Sequence, residues 1–336
     1  MLYRRWIQNK ERRLTLADTN RQVFPFEWGL KWLPETPING STPLQRLQAF
    51  AGEGLKNSEE FFACPTLEQW DFEGERLLFS SPLKLVDDFN NTASFRYFPA
   101  PDSDRAVIVI PQWNADQESH VALCRILRRI GISALRCCLP YHEERRPPNM
   151  IRADFMVSPN LGRTLQSTRQ AVLEIRQAAD WLFQRGYRRV GVMGTSIGSC
   201  VGFLAFAHDS RLHTAVFNHV SSFFADVVWT GLSTRFVKWG LEEHIELEDL
   251  RRCWAPISPY YHVAKLAGDK RPHRLITARY DLTFRPELSQ IVFDTYQAVG
   301  AHCDRVELPC GHYTTAHFPF NYLDGWHICS YLRKHL

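Results

Sequence analysis

The sequence predicts an α/β domain with a mostly parallel central sheet flanked by helices. From about residue 95 onward, short runs rich in β-branched residues alternate with longer amphipathic segments, which is the pattern of βαβ units. Several of these runs are apolar on both faces, as strands buried inside a parallel sheet are. The predicted strands are, in chain order, 95–98, 106–110, 132–139, 189–193, 214–217, 274–278 and 304–308.

Helical periodicity fills the gaps between these strands. Apolar residues recur at helical spacing over 121–130 and 165–183, and again from Pro286 toward 299. A last helix is predicted over 322–332. Upstream, Ser41 and Thr42 stand before Pro43 and an apolar periodic stretch, which indicates the start of a helix.

Two segments depart from this alternation. Residues 1–90 lack a clean period and are rich in proline and aromatic residues, so we interpret them as an N-terminal extension packed on the core. The main domain is expected to cover 91–336. Within it, residues 221–264 interrupt the short alternation and hold several large aromatic side chains, which favours an inserted helical cap.

The composition excludes several function classes. Forty Lys and Arg against thirty-six Asp and Glu leave a formal charge of +4, which is too small and too dispersed for a dedicated nucleic-acid binder. No apolar run approaches the roughly 18 residues that a membrane span requires, and the charged N-terminus lacks the apolar segment of a signal peptide. We therefore expect a cytoplasmic protein with no transmembrane segment and no nucleic-acid partner. The oligomeric state stays open.

The nine cysteines form an odd set without CxxC spacing, which argues against a zinc ribbon and against a disulfide framework. We expect most of them to be reduced thiols in the core. The sequons at Asn39 and Asn90 would carry no glycan in a chain that is not exported.

The most informative motif is Gly194-Thr195-Ser196-Ile197-Gly198, a G-x-S-x-G pattern between a predicted strand and a predicted helix. In such a turn the serine has a strained backbone, and a Cβ at either flanking glycine would collide with the neighbouring strand and helix. The alternative is a tight turn whose glycines serve packing alone. The motif predicts that Ser196 is a nucleophile.

A serine hydroxyl needs a base and an orienting carboxylate, and both follow in the sequence. Asp281 follows the strand predicted at 274–278, and His312 follows the strand predicted at 304–308. Both would emerge at the carboxyl edge of the sheet, where open α/β sheets place their sites. Competing residues are His219, His317, Asp226 and Asp304; the last begins its strand and so points to the opposite edge.

An oxyanion hole requires two backbone N–H groups aimed at the developing charge. Ile197 would supply one. The other is expected from the loop after the strand at 106–110, where Trp113 and Gln112 are the candidates. This loop lacks the glycine-rich sequence that is common at this place in lipases.

In these motifs and their order the chain resembles the α/β-hydrolase superfamily over roughly residues 95–336. The motifs PQWNAD, LPYHEERRPP, GTSIGS and PCGHYTT also resemble the branch described as α/β hydrolase domain-containing protein 18. The resemblance implies an α/β-hydrolase fold with Ser196 as nucleophile, His312 as general base and Asp281 as orienting acid. It also implies oxyanion donors at Ile197 and in the loop of Gln112 and Trp113.

The stretch LPYHEERRPP would lie beside this site. Asn114, Tyr141, His142 and His219 are candidates for the substrate pocket, since each follows a strand at the catalytic edge. Arg145 or Arg146 could meet an anionic substrate group, or the loop could be neutralised internally by its own acids. A metal site at His142, Glu143 and Glu144 is disfavoured because adjacent residues of an extended chain point to different sides.

These observations predict a serine hydrolase that cleaves a carboxylic ester or a thioester through an acyl-enzyme on Ser196. The aromatic cap suggests a lipid acyl ester among small-molecule substrates. No cofactor and no metal are expected. Two alternatives stay open: an acyltransferase, in which an alcohol replaces water, and a catalytically silent α/β-hydrolase scaffold that serves as a binding protein.

Overall fold

The central sheet has nine strands among the residues that the structure, a computed structural model, describes, which are 2–34 and 40–336. The spatial order is β1-β2-β3-β5-β4-β6-β7-β8-β9. The strands are β1 (Asp71–Glu73), β2 (Arg76–Ser80), β3 (Thr92–Phe98), β4 (Arg105–Ile110), β5 (Ser133–Cys138), β6 (Arg189–Thr195), β7 (Thr214–Asn218), β8 (His273–Ala278) and β9 (Asp304–Leu308).

The six strands from β4 to β9 are parallel to one another, so their carboxyl ends lie at one edge of the sheet. β3 pairs antiparallel with β5, and β1 and β2 extend this side as antiparallel strands. Every predicted strand is present, and the prediction of a mostly parallel sheet is confirmed. β1 and β2 belong to the segment 1–90 interpreted as an extension, yet they hydrogen bond into the sheet, with Leu77 opposite Phe95.

Helices cover both faces of the sheet and match the predicted periodic segments. They are α1 (Leu2–Leu16), α2 (Pro43–Lys56), α3 (Ser58–Phe61), α4 (Val121–Arg129), α5 (Leu161–Gln184), α6 (Ile197–His208), α7 (Phe224–Thr230), α8 (Arg235–Leu241), α9 (Leu247–Cys253), α10 (Pro286–Ala298) and α11 (Phe320–His335). Alternate residues of the strands feed two apolar cores. One core lies against α5 and α6, and the other lies against α1, α4 and α11.

Several local features follow from the sequence. Thr42 caps α2 in a capping box with Gln45, and Pro43 occupies the first turn. The segment interpreted as a cap contains α7, α8 and α9 with two 3₁₀ turns after them. Helix α1 was not predicted. No helix in the described ranges is both long enough and apolar enough to cross a membrane.

All nine cysteines lie in the described ranges as free thiols, and most are buried. Asn90 is fully buried, with its side chain bonded to Gln170 and to the backbone N–H of Tyr141. Asn39, the other sequon residue, lies outside the described residues.

Candidate active site

Ser196 occupies a sharp turn between β6 and α6, with backbone angles of φ 59° and ψ −121°. A Cβ on Gly194 would overlap the carbonyl group of Gly198, and a Cβ on Gly198 would overlap the carbonyl groups of Ile110 and Pro111. Glycine is therefore sterically required on both sides of the serine. The turn projects Ser196 at the carboxyl edge of the sheet, where only 6% of the residue is exposed.

The structure brings Ser196, His312 and Asp281 into one hydrogen-bonded chain. Ser196 Oγ lies 3.1 Å from His312 Nε2, and His312 Nδ1 lies 2.9 Å from Asp281 Oδ2. The second oxygen, Oδ1, accepts the backbone N–H groups of Thr283 and Phe284 at 2.7 Å each. The Phe284 ring also stacks on the imidazole of His312. The carboxylate and the ring are thus fixed in the orientation that proton transfer from Ser196 requires.

The charges at this site favour a protonated His312 and an ionised Asp281. Burial opposes the charged form of His312, but the carboxylates of Asp281 and Glu11 outweigh it and raise its pKa. Burial likewise opposes ionisation of Asp281, but the imidazole of His312 and its hydrogen bonds lower the pKa of this carboxyl group overall. An imidazolium that forms when Ser196 loses its proton would therefore be stabilised.

A second histidine shares the same carboxylate oxygen. His219, directly after β7, places Nδ1 at 3.0 Å from Asp281 Oδ2, and its ring centroid lies 4.5 Å from that of His312. Burial and the neighbouring His312 lower the pKa of His219. Its backbone has φ 58°, in the left-handed region. His219 is thus a neutral donor that shares the carboxylate with His312, a contact that the sequence did not predict.

The other competing residues lie away from this cluster. Asp226 accepts two hydrogen bonds from Arg251, and Asp304 pairs with Arg274 at the start of β9. His317 is exposed.

The backbone N–H groups predicted as oxyanion donors, at Ile197 and in the loop after β4, differ in whether they already have an acceptor. Ile197 is the first residue of α6, so its backbone N–H has no acceptor inside the helix. In the loop, Asn114 donates its backbone N–H to His142 Nε2 at 2.9 Å and is occupied. The backbone N–H groups of Gln112 and Trp113 donate no hydrogen bond within the described residues. They remain the available donors of this loop.

The predicted pocket residues are held by the protein itself. Asn114 Oδ1 accepts the backbone N–H of Ala153, and the Trp113 indole donates to the Ala153 carbonyl. Tyr141 is buried and donates its hydroxyl to Asp87. His142 is also buried, and its Nδ1 donates to the Pro140 carbonyl. Each of these side chains therefore has fixed contacts within the protein, and their role in a substrate pocket stays a prediction.

Three charged residues of the stretch that follows pair with residues outside it. Arg145 is buried and forms a bidentate pair with Glu174 at 2.7 and 2.8 Å. Glu143 pairs with Arg136, and Glu144 pairs with Arg76. The charges of Glu143, Glu144 and Arg145 are therefore balanced by β5, β2 and α5 and not by one another, which corrects the alternative of a loop neutralised by its own acids.

Among residues 2–34 and 40–336, two groups of side chains have metal-ligand atoms close together: His219, Asp281 and His312, and Cys138, Glu143 and Glu144. In the first group the ligand atoms already hydrogen bond to one another. In the second group both carboxylates are paired with arginines. Neither group offers a free donor set, so we assign a metal to neither.

The contact of the N-terminal segment with this site was not predicted from the sequence. Glu11 of α1 accepts backbone N–H groups of the His312 loop, and Arg21 donates to the hydroxyl of Tyr313. The only local signal is that Glu11 is the single acid in an otherwise basic helix. A narrow cleft near Trp113 is lined by Arg21, Phe24 and the cap residue Phe236.

Comparison with known proteins identifies the fold. No model of a known protein family matches the chain, and no curated protein matches it. Among solved structures, acetyl xylan esterase 1 from Thermoanaerobacterium sp. is 12% identical with a TM-score of 0.61, over 88% of this chain and 99% of that one. The Pyrococcus furiosus esterase Pf2001 is 15% identical with a TM-score of 0.53, over 81% and 98%.

The Pyrococcus horikoshii acylaminoacyl peptidase is 10% identical with a TM-score of 0.60, over 80% of this chain. The chain spans only 42% of the length of that peptidase. At such identities the likeness concerns the fold alone. Together with the sheet order, it shows that the chain has the α/β-hydrolase fold.

Proposed function

We propose that this protein is a serine hydrolase that cleaves a carboxylic ester or thioester through an acyl-enzyme on Ser196. The observation that carries the proposal is the continuous chain of contacts from Ser196 Oγ through His312 to Asp281. Similarity of fold to esterases supports the proposal by analogy. The resemblance of four motifs to the branch described as α/β hydrolase domain-containing protein 18 belongs to the same proposal.

The geometry supports the usual two half-reactions. His312 Nε2 takes the proton of Ser196 while Oγ forms a bond to the acyl carbon, and Asp281 keeps the Nδ1 proton of the imidazole in place. The negative charge on the former carbonyl oxygen would meet the N–H of Ile197 and an N–H of Gln112 or Trp113. The proton on His312 then passes to the leaving alcohol or thiol. Water, activated by the same imidazole, releases the acid.

The substrate class is proposed as an ester with an apolar acyl group, including lipid esters. Support comes from the aromatic side chains of the cap segment, such as Phe236, which lines the cleft next to Trp113. Hydrolysis rates for a series of p-nitrophenyl esters from two to sixteen carbons test this: a rise with chain length supports a lipid-like acyl group. A preference for acetate would limit the proposal to short esters.

Acyl transfer is the second catalytic candidate, since Ser196 is 94% covered and water access decides between the two outcomes. Product analysis with and without added alcohols separates them. Formation of new esters at the expense of free acid would favour the transferase.

The central test is covalent labelling by a fluorophosphonate probe. We expect the full-length protein to be labelled on Ser196 and Ser196→Ala to be unlabelled. Ser167→Ala is the matched control, because Ser167 is a buried serine of α5 whose hydroxyl donates to the carbonyl of Met156. Labelling that persists in Ser196→Ala would remove the proposed nucleophile. Absence of labelling together with no turnover across an ester panel would favour a silent scaffold.

A further inference from the structure

Helix α1 reaches the loop that carries His312. We propose that Glu11 is a positioning residue, whose carboxylate holds this loop so that the imidazole of His312 stays within reach of Ser196. The proposal rests on the proposed function, because it assigns α1 to the same site. It makes the N-terminal helix a working part of the active site rather than an accessory to the core.

The contacts of Glu11 are directed at the backbone on either side of the imidazole. Glu11 is 1% exposed. Its Oε2 accepts the backbone N–H of Tyr313 at 3.0 Å, and its Oε1 accepts that of Thr314 at 2.7 Å. A Cβ on Gly311 would lie 2.5 Å from the carboxyl carbon of Glu11, so only glycine leaves space for this approach. One side chain therefore holds the two residues after His312 by hydrogen bonds and packs closely against the residue before it.

Helix α1 is held against the rest of the protein by residues on either side of Glu11 in the sequence. Tyr3, Ile7, Glu11 and Thr15 are spaced four residues apart and so share one face of the helix. Tyr3 donates its hydroxyl to the Pro309 carbonyl at 2.6 Å, and Ile7 is fully buried in the core that α11 also lines. The chain then returns, and Arg21 donates to the hydroxyl of Tyr313 at 2.7 Å. Glu11 thus acts from a rigid support.

The charge of Glu11 has a second role, because no cation pairs with it. Within the described residues Glu11 forms no ion pair with Lys or Arg, although α1 holds four arginines and one lysine. The carboxylate is balanced instead by two N–H groups and by any positive charge on His312, whose pKa it helps to raise. The other titratable groups facing His312 are Asp281 after β8 and His219 after β7. Cys310 and Tyr313 lie on its own loop.

Replacement of Glu11 in the full-length protein separates these roles. Glu11→Gln keeps the shape but removes the charge and one of two acceptor oxygens. We expect the probe-labelling rate and kcat to fall about 10- to 100-fold, because a small displacement of a catalytic group has effects of this size, with KM little changed. The acidic limb of the pH–rate profile should move to lower pH. Glu11→Asp keeps the charge with a shorter reach, so its rate should fall while the limb stays near that of the parent.

Asp180→Asn is the matched control. Asp180 is also a buried carboxylate, and it ties the N-terminal region to the core by accepting the backbone N–H of Leu67. It lies beside Arg211, which precedes β7 and is therefore at the edge of the sheet opposite to Ser196. Its replacement should lower stability but leave the labelling rate and the pH limb unchanged.

A measurement that needs no activity completes the test. Hydrogen exchange at the amide of Tyr313 or Thr314 should be about 10- to 100-fold faster in Glu11→Gln, because the glutamine amide keeps only one acceptor oxygen for the two N–H groups. A parent protein that is labelled, with a Glu11→Gln variant equal to it in rate, pH limb and exchange, would overturn the positioning role and leave the hydrolase proposal intact. A parent that is never labelled would defeat the hydrolase proposal, and unchanged exchange would still defeat the role of Glu11.

Discussion

Two histidines at the carboxyl edge of the sheet, the partly buried His312 after β9 and the buried His142 after β5, have opposite electrostatic surroundings. His312 faces the carboxylates of Asp281 and Glu11, which raise its pKa. His142 is buried among the guanidinium groups of Arg145, Arg136 and Arg146, and burial together with these charges lowers its pKa to about 4. The surroundings therefore stabilise the protonated form of His312 and the neutral form of His142.

The hydrogen bonds of the two rings explain what each can do. Both nitrogens of His142 are occupied, since Nδ1 donates to the Pro140 carbonyl and Nε2 accepts the backbone N–H of Asn114. A proton on Nε2 would break the bond that shapes the loop of Trp113. His312 Nε2 faces the hydroxyl of Ser196 instead. A proton can therefore move at His312, whereas His142 fixes backbone geometry.

Removing the negative charge of Asp281 should make His312 electrostatically more like His142. We expect Asp281→Asn to lower turnover by up to about 10⁴-fold, or roughly 5 kcal/mol, mainly because the imidazole loses its correct tautomer. The parent should lose activity as pH falls through the raised pKa of His312, and this acidic limb should move to lower pH in the variant. Steady-state rates from pH 5 to 9 measure both effects.

Asp226→Asn is the control for this change, because Asp226 is the buried alternative carboxylate and pairs with Arg251. It should retain the turnover and the pH limb of the parent. A large loss in Asp226→Asn with a neutral Asp281→Asn would transfer the orienting role to Asp226.

The neutral state of His142 should appear in the stability of the protein. Its pKa is about 4 in the folded chain against an ordinary value of 6.5, so its contribution is complete above pH 6.5 and is lost as pH falls toward 4. Between pH 6.5 and 5 the loss is about 2 kcal/mol for this group. His312 has the opposite sign, because a raised pKa contributes stability at low pH that is lost as pH rises through it.

His142→Gln tests this sign, since an amide can replace both ring contacts without titrating. We expect denaturant unfolding at pH 7 and pH 5 to show a smaller acid-induced loss in the variant than in the parent. His213→Gln, at an exposed histidine, serves as the control and should leave the difference unchanged. An equal acid-induced loss in the His142→Gln variant and the parent would mean that His142 does not remain neutral in the folded chain.

The sequence predicted what depends on local pattern and missed what depends on remote contacts. The bounds of the six parallel strands were predicted within two residues, because buried parallel strands are continuous apolar segments. The antiparallel β3 begins three residues before its predicted start, and β1 and β2 were not predicted as strands. The motif around Ser196 and the order of Asp281 and His312 predicted three side chains that the structure brings together. Helix α1 was not predicted, because its buried face includes the charged Glu11, which interrupts the apolar periodicity of a helix. The contact of His219 with Asp281 joins residues 62 positions apart, which no local signal could reveal.

His219 lies between the two extremes, because it shares the carboxylate of His312 yet stays neutral like His142. It supplies one of four hydrogen bonds to Asp281, the others coming from His312, Thr283 and Phe284. His219→Asn suits the left-handed backbone at this position but shortens the donor.

We expect His219→Asn to lower turnover by about 10-fold, close to the value of one hydrogen bond to a charged group. The acidic limb should move to higher pH, because Asp281 then interacts with His312 alone among the histidines. His273→Gln is the control. His273 is a buried histidine at the start of β8, at the edge of the sheet opposite to Ser196, and it hydrogen bonds to the hydroxyl of Tyr296. Its replacement should change neither the turnover nor the acidic limb. Unchanged turnover and limb in His219→Asn would mean that the two backbone N–H groups suffice to hold Asp281. The contrast between His312 and His142 would then arise from Asp281 and Glu11 without help from a third imidazole.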